Sequence, residues 1–567
     1  MPLPAENTAW PPVAWAPAFD RYRLDEALWL NDTERLAGIL AGGDRDTIDG
    51  RAVGAMHRGG RLGISRLRRW AFGDRTTTTE RRTNLPIPIG ASIADLSAAQ
   101  LMSEAPRFRA VDAEGKTVRS PLQERLDIIG NSDDAHMTLI EGAQTAAALG
   151  AVVLKASWDL DDPDRRSVYF DTVGADCAVP IFNAAGRLLE ILLFTEYDDP
   201  RGGGSTRILR HIERHAPGVI EHALYLGTPT SVGKRVPLDT LAELAAIASM
   251  PNTTSDGLTV QISTGISRIT AAYWRNRPSR IWRRHGTLRN AGRSDFELIE
   301  PLIDAYSEAW ASMMRDVRLG KARLLVPLGM LEVAAAAGQG ASFDTDREIY
   351  AQVGGLDPEA GTNTIKDYQA AIRWQEHMRV LAGLKTEILD AAGWSMSSYG
   401  QPAGLDVQGG VTATEIVDRT TKSERTRDEK ALYFKQPAQA FVRMLLELDG
   451  RAYPTAGGGI VENLSIDFPD VSQVDPEKQA RTFLDLSTAN AISIEQSVRE
   501  RRPNWDDDEV GEEVERILTD LARRNGPMTD PTQLGLTRPR IDLTDPAGTE
   551  PPPAEPAEPE QPEPLEV

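Results

Sequence analysis

The sequence predicts an α+β chain in which a strand-bearing region is followed by long helices and an acidic, proline-rich tail. Three observations carry this. Between about 148 and 262, β-favouring runs such as Ala151 to Trp158 and Leu188 to Tyr197 alternate with breaks at Asp161-Asp162-Pro163-Asp164 and Gly202-Gly203-Gly204. From Ser294 onward, apolar residues recur at helical spacing. Residues 541–567 hold eight acidic side chains, eight prolines and no basic residue. Such a tail cannot bury enough apolar surface to offset the entropy of ordering, so it is read as disordered.

Residues 1–130 read as mostly helical, with apolar spacing from Glu26 to Leu40 and from Ser92 to Met102. Ser294-Asp295-Phe296-Glu297 has the form of a capping box, serine as N-cap and glutamate three residues on. Behind it Ile299, Ile303, Tyr306, Trp310, Met313 and Val317 form one stripe on a helix that Gly320 ends. Arg323 to Leu328 reads as a strand, followed by an alanine- and glycine-rich stretch to about Asn363. A second long helix is expected over 364–392, stopped by Gly393, and a third from about Thr412 past Leu448. Between them, Gly400, Gly404, Gly409, Gly410 and Pro402 are too many breakers for a regular element over Trp394 to Val411. A last helical zone covers Asp475 to about Leu521, with Pro476 at a first-turn position where its missing N–H costs nothing.

Composition narrows the function classes. The 567 residues are too many for one ordinary core, so two or more packed regions are expected. No run of roughly 18 apolar residues exists, so no membrane span is expected, and Met1 to Glu6 lacks the basic and apolar pattern of an export leader. The single cysteine, Cys177, cannot form an internal disulfide, which fits a reducing cytoplasm. The net charge of −21 argues against a protein that grips DNA by its phosphates, yet suits one that lets DNA slide past.

Several strings, in order, resemble the portal family of long-tailed, actinobacterial bacteriophages. Ala291-Gly292-Arg293-Ser294-Asp295 stands where such portals open their first stem helix. Gly410-Val411-Thr412-Ala413-Thr414-Glu415-Ile416 is similar to the start of the helix after their channel loop. Phe170 to Asp176 with Val179-Pro180 resembles their wing strands, and Ala491 to Glu495, Pro503-Asn504-Trp505 and Glu512-Glu513-Val514 resemble their crown. The resemblance implies a wing at 1–293, stem helices at 294–319 and 364–392, a clip at 320–363, a channel loop at 393–411, wing and crown helices at 412–525, and a tail at 526–567. It further implies a dodecameric ring at a capsid vertex, assembled in the host cytoplasm. Double-stranded DNA would pass through it, and it would meet the terminase large subunit, major capsid and scaffold proteins and a head-tail adaptor. Trp394, Tyr399, Gln401, Asp406, Gln408, Gly409 and Gly410 would face the channel. Ile299, Ile303, Tyr306, Trp310 and Met313 would pack the first stem helix.

Other motifs point less sharply. Gly227 to Arg235 approaches a phosphate loop, but five residues separate its glycines and Arg235 replaces the Mg²⁺-binding hydroxyl, so a loop between strands is expected. His211, His215 and His222 fall among strands, where four residues span roughly 13 Å, too far for His211 and His215 to share one metal ion. Arg268 to Arg293 holds eight arginines and no acid. It is read as inter-subunit salt bridging or a DNA contact, with Arg275, Arg277, Arg283 and Arg284 as candidates. No catalytic motif and no cofactor is expected. The reading is a structural conduit, with a capsid-associated interaction protein or a terminase-type ATPase as rivals.

Overall fold

The computed structural model describes residues 2–33, 35, 36, 39, 87–111, 120–159, 166–199, 207–250, 257–320, 323–327, 351–353, 366–368, 372–400, 413–460, 463–468, 476–489, 491–502, 505 and 507–525. The chain divides into two units, Met1–Val474 and Asp475–Val567. The acidic tail lies outside the described residues.

The first unit opens with helices α1 (Ala16–Trp29) and α2 (Ile89–Met102), strand β1 (Arg107–Val111), and helices α3 (Pro121–Ile129) and α4 (Asp133–Leu149). Helix α4 starts where the Ser132 hydroxyl accepts from Ala135 N, with Asp133 and Asp134 complementing the positive end of the helix dipole. It stops at Gly150, whose φ of 84° only glycine adopts freely.

Strands β2 (Ala151–Ser157), β3 (Tyr169–Gly174), β4 (Ala178–Phe182), β5 (Leu188–Asp198), β6 (Ile208–Ala216), β7 (Val219–Thr228), β8 (Ser231–Val236), β9 (Thr259–Ser263) and β10 (Ala271–Arg275) follow. One antiparallel sheet runs β4-β5-β6-β7-β8, with β9 also on β7, and a second runs β10-β2-β3. The near-phosphate-loop is the tight turn joining β7 to β8, as expected of a loop between strands, with Thr228 opposite Ser231. The N-terminal segment lies along this hairpin. Asn7 N donates to Gly233 O, Val232 N to Thr8 O and the Tyr225 hydroxyl to Pro4 O.

Helix α5 (Glu300–Leu319), the three-stranded sheet of β11 (Arg323–Pro327), β12 (Ala351–Val353) and β13 (Lys366–Tyr368), helix α6 (Trp374–Ala392), the 40-residue helix α7 (Ala413–Ala452) and β14 (Asn463–Asp467) complete the unit. One core gathers α1, α2, the larger sheet and the bases of α5 and α6; another joins α2, α4, β2, β10 and α7. The second unit holds α8 (Pro476–Thr488), α9 (Ile494–Arg501) and α10 (Asp507–Asn525), with Phe483, Val498 and Val510 buried.

Three expectations are corrected. The helix expected from Ser294 begins at Glu300, because Ser294 and Glu297 spend their polar atoms elsewhere. The Ser294 hydroxyl donates to Ala148 O and accepts from Phe296 N, while the Glu297 carboxylate accepts from the Ser279 hydroxyl and Arg280 N. No capping box forms. The second long helix begins at Trp374, not 364, since Lys366–Tyr368 pairs with β11 as a strand. Within the region 1–130, read as mostly helical, β1 pairs antiparallel with β14, more than 350 residues away in sequence. The helix expected from Glu26 starts earlier, at Ala16, and breaks at Leu30 and Asn31, whose φ is 54°.

Candidate functional site

Helices α5 and α6 pack against each other, and the segments flanking them meet in a buried joint of charged groups. Asp295, fully buried, is its hub. Its Oδ2 accepts from Lys430 Nζ at 2.5 Å, and its Oδ1 accepts from Asn276 Nδ2 at 2.9 Å and from Arg277 at 3.0 Å. Lys430 also donates to the Ser97 hydroxyl, and its ammonium stands 5.1 Å from the Trp394 ring centroid. The second bond of Arg277 goes to Ala392 O, the last carbonyl of α6. Five pieces of chain are thereby tied together: α2, the segment after β10, the lead into α5, the end of α6, and α7.

Electrostatics explains why the joint holds its charges. Burial alone would drive Asp295 toward its neutral form, but Lys430 and Arg277 hold its carboxyl below the ordinary value. Burial pushes Lys430 down to about 8 against the pull of Asp295. Close backbone packing seals one side. A Cβ on Gly292 would overlap Gly150 O, so only glycine lets the lead into α5 cross the end of α4. A second ionic tie anchors α5 to α1, where Arg21 pairs with Asp25 at 2.9 Å and also with Glu300.

The expected stem-packing residues divide by position. Ile299, Ile303 and Tyr306 are buried, while Trp310 and Met313 are half-buried and packed against the same core. The ring of Tyr306 meets that of Trp310 edge-on at 6.4 Å. At the other end of α5, Asp316 accepts from His377 Nε2 at 3.0 Å and from Arg373 at 3.4 Å. The C-terminal end of α5 therefore lies beside the N-terminal end of α6. The His377 and Arg373 contacts hold the Asp316 carboxyl below its usual range.

The candidate channel residues behave differently. Trp394 has no solvent exposure: it is a core residue, held beneath Lys430 where α6 ends, and does not line a loop surface. Ser395 N donates to the Ser423 hydroxyl, and the Ser395, Ser398 and Ser423 hydroxyls bond one another. Tyr399 is half-buried, with the Lys385 ammonium 4.0 Å from its ring centroid. Gln401, Asp406, Gln408, Gly409 and Gly410 lie outside the described residues.

Nor do the candidate arginines act alike. Arg277 is spent inside its own subunit on Asp295 and Ala392, so it is neither an inter-subunit nor a DNA contact. The half-buried Arg275 stacks over Tyr433 at 5.1 Å, while Arg283 and Arg284 are exposed. The histidines are buried and cross-strand: His211 Nε2 and His222 Nδ1 are 3.2 Å apart, and His215 meets Thr270 and Glu213. No group of side chains suited to holding a metal ion occurs among the described residues. No helix among them is long and apolar enough to cross a membrane.

The sequence reading missed Lys430 and the role of Asp295. A signal existed. Lys430, Phe434, Ala438, Phe441, Leu445 and Leu448 step by 4, 4, 3, 4 and 3, so a lysine occupies an otherwise apolar helix stripe.

Residues 227–527 match the family described as phage portal protein, SPP1 Gp6-like. Among solved structures, the chain is similar to a chain in the virion of a native gene transfer agent (GTA) particle. That match has 11% identity and a TM-score of 0.33, over 73% of this chain and 90% of that one. It is also similar to a chain in the neck of an empty GTA particle computed with C6 symmetry, with 12% identity and a TM-score of 0.35 over 74% and 90%. No curated protein matches the chain.

Proposed function

The chain belongs to the SPP1 Gp6-like phage portal protein family and is a portal protein, a head–tail connector component of the virion, and from that premise we propose how its parts divide the work. The family is in general structural rather than enzymatic. We read this chain as one subunit of a ring at a capsid vertex, twelve-fold by family resemblance, through which double-stranded DNA enters and leaves. Helices α5 and α6 form the stem, and the segment between them, 320–363 with the strand Lys366–Tyr368 attached, forms the clip that meets the terminase large subunit and later the head-tail adaptor. Residues 401–411 form the loop at the channel, while Arg283 and Arg284 face a neighbouring subunit or DNA. The chain 1–293 forms the wing beside capsid and scaffold proteins, and the helices after 475 form the crown. Assembly takes place in the host cytoplasm.

The observation that carries this reading is the family match across 227–527, which spans both stem helices and everything between them. Chemistry agrees. Both oxygens of the Asp295 carboxylate have donors within the joint, and net acidity favours passage of a polyanion over capture.

Electron micrographs of the purified full chain should show rings with a central hole. A uniform population of closed, hole-free particles would overturn the ring. Deleting Gln401 to Gln408 should leave rings and capsids intact while reducing packaged DNA; heads filled at the wild-type level would remove the loop from the channel.

A further inference from the structure

We propose that His211 and His222 form an acid-sensitive latch across β6 and β7. The latch holds the strands together while the pair carries at most one extra proton, and a second proton parts them locally. Side chains alternate along a strand, so His211, Glu213 and His215 of β6 share one face of the larger sheet with His222 and Leu224 of β7. His211 is 8% exposed and His222 5%. His211 Nε2 and His222 Nδ1 lie 3.2 Å apart, while the ring centroids are 5.3 Å apart and the rings only 6° from parallel. Nitrogens that much closer than the ring centres place the rings edge to edge, so the contact is an N–H···N hydrogen bond. One imidazole donates and the other accepts. Two neutral rings satisfy this, and so do one neutral and one charged ring. Two charged rings do not: each presents a proton, the bond is lost, and like charges face each other across 3.2 Å.

The surroundings leave no anion to absorb that second charge. The charged or titratable groups facing the pair are Glu213 and His215 of β6 and Lys155 of β2. The Glu213 carboxylate already meets Lys155 Nζ at 3.2 Å and His215 Nε2 at 2.9 Å, while His215 Nδ1 bonds the Thr270 hydroxyl at 2.7 Å. Burial pushes both imidazoles of the pair below their ordinary 6.5, His222 to about 4, with Glu213 pulling the other way. The sign follows. Parted strands bind protons from pH 6.5 downward that the closed pair refuses, so the latch is fully closed above 6.5 and fails as pH falls toward 4. The cover over the pair is thin. Leu209, Leu224 and Val260 on the same face pack with Leu238, Leu241 and Leu244 in a small core separate from the two large ones, and such a core opens at lower cost.

The test uses the full-length protein near pH 7.5 and near pH 5. Backbone deuterium exchange, read by mass spectrometry and corrected for the intrinsic effect of pH, should speed up at least about tenfold over β6 and β7 at the lower pH. Helix α4 should stay within about twofold. In His222→Gln, whose amide cannot take up a proton, the acid response over β6 and β7 should fall below about threefold. Exchange of the imidazole C2 hydrogen titrates each histidine in the unaltered wild type, so a variant that fails to fold does not end the test. At least one of His211 and His222 should titrate a full unit or more below 6.5. Four results would each overturn the latch: wild-type exchange over β6 and β7 that ignores pH, an undiminished acid response in folded His222→Gln, both rings titrating near 6.5, or equal acceleration along the whole chain, which is general acid unfolding.

Discussion

The two ends of the α5–α6 pair are held by similar chemistry in opposite surroundings. At the base, Asp295, Lys430 and Arg277 meet almost out of reach of water, and every oxygen of the carboxylate has a donor. At the far end, Asp316 meets His377 and Arg373 where solvent still reaches all three. Desolvation makes the first set costly to form and more costly to break; solvent screening makes the second weak either way. The base is thus built as a fixed joint and the far end as an adjustable one.

The sharpest way to break this comparison is Asp295→Ala, which leaves two cations buried without their carboxylate. We expect a loss of about 3–5 kcal/mol in subunit stability by denaturant unfolding. A loss under about 1 kcal/mol would mean the joint is wetter than its burial implies. Next, Lys430→Met should cost less, roughly 1–3 kcal/mol, since Arg277 and Asn276 still serve Asp295. In the double variant Asp295→Ala, Lys430→Met the two costs should fall short of adding, and strict additivity would deny that the pair is coupled.

Trp310→Ala probes the apolar stripe between the two ends. A fully buried tryptophan would cost about 3–5 kcal/mol on truncation, but Trp310 is half-buried, so about 2 kcal/mol is expected from thermal melting. No change would put its ring outside the packing.

Lys430 also makes a pH prediction. Its folded value, about 8, lies below the ordinary 10.5, so above pH 8 the folded protein sheds a proton that the unfolded chain keeps. Stability from this group therefore rises between pH 8 and 10.5. The stability gap between wild type and Lys430→Met should widen by on the order of 1 kcal/mol from pH 7 to 9.5. A gap that stays flat or narrows would place the ammonium in water. Asp295, held below 3.8, should in turn lose its contribution only as pH falls through its depressed folded value. The smallest effect is reserved for the far end: Asp316→Asn should change stability by less than about 1 kcal/mol, and by less still in high salt. A larger loss would erase the contrast between the two ends.

Much of the fold was legible from local pattern. The strands Ala151 to Ser157 and Leu188 to Asp198, the stop at Gly393, the onset of α8 at Pro476 and the hairpin reading of Gly227 to Arg235 are all recoverable, because each rests on neighbouring residues alone. The stripe Ile299-Ile303-Tyr306 was legible for the same reason. Trp394 was not: a glycine-rich context argued for an exposed loop, while a lysine 36 residues later in the chain roofs it into the core.

The sequence by itself therefore determined the family, the α+β class, the order of strands and long helices, and the absence of any recognisable catalytic motif. All of these reside in spacing and composition within a few turns of chain. Only the tertiary structure decided where α5 and α6 begin, that β1 and β14 pair across the whole first unit, and that Asp295, Arg277 and Lys430 form one buried group. The physical reason is that the worth of a charge or a cap depends on what desolvates it and which donors compete for it, and those neighbours arrive from 18 to more than 300 residues away.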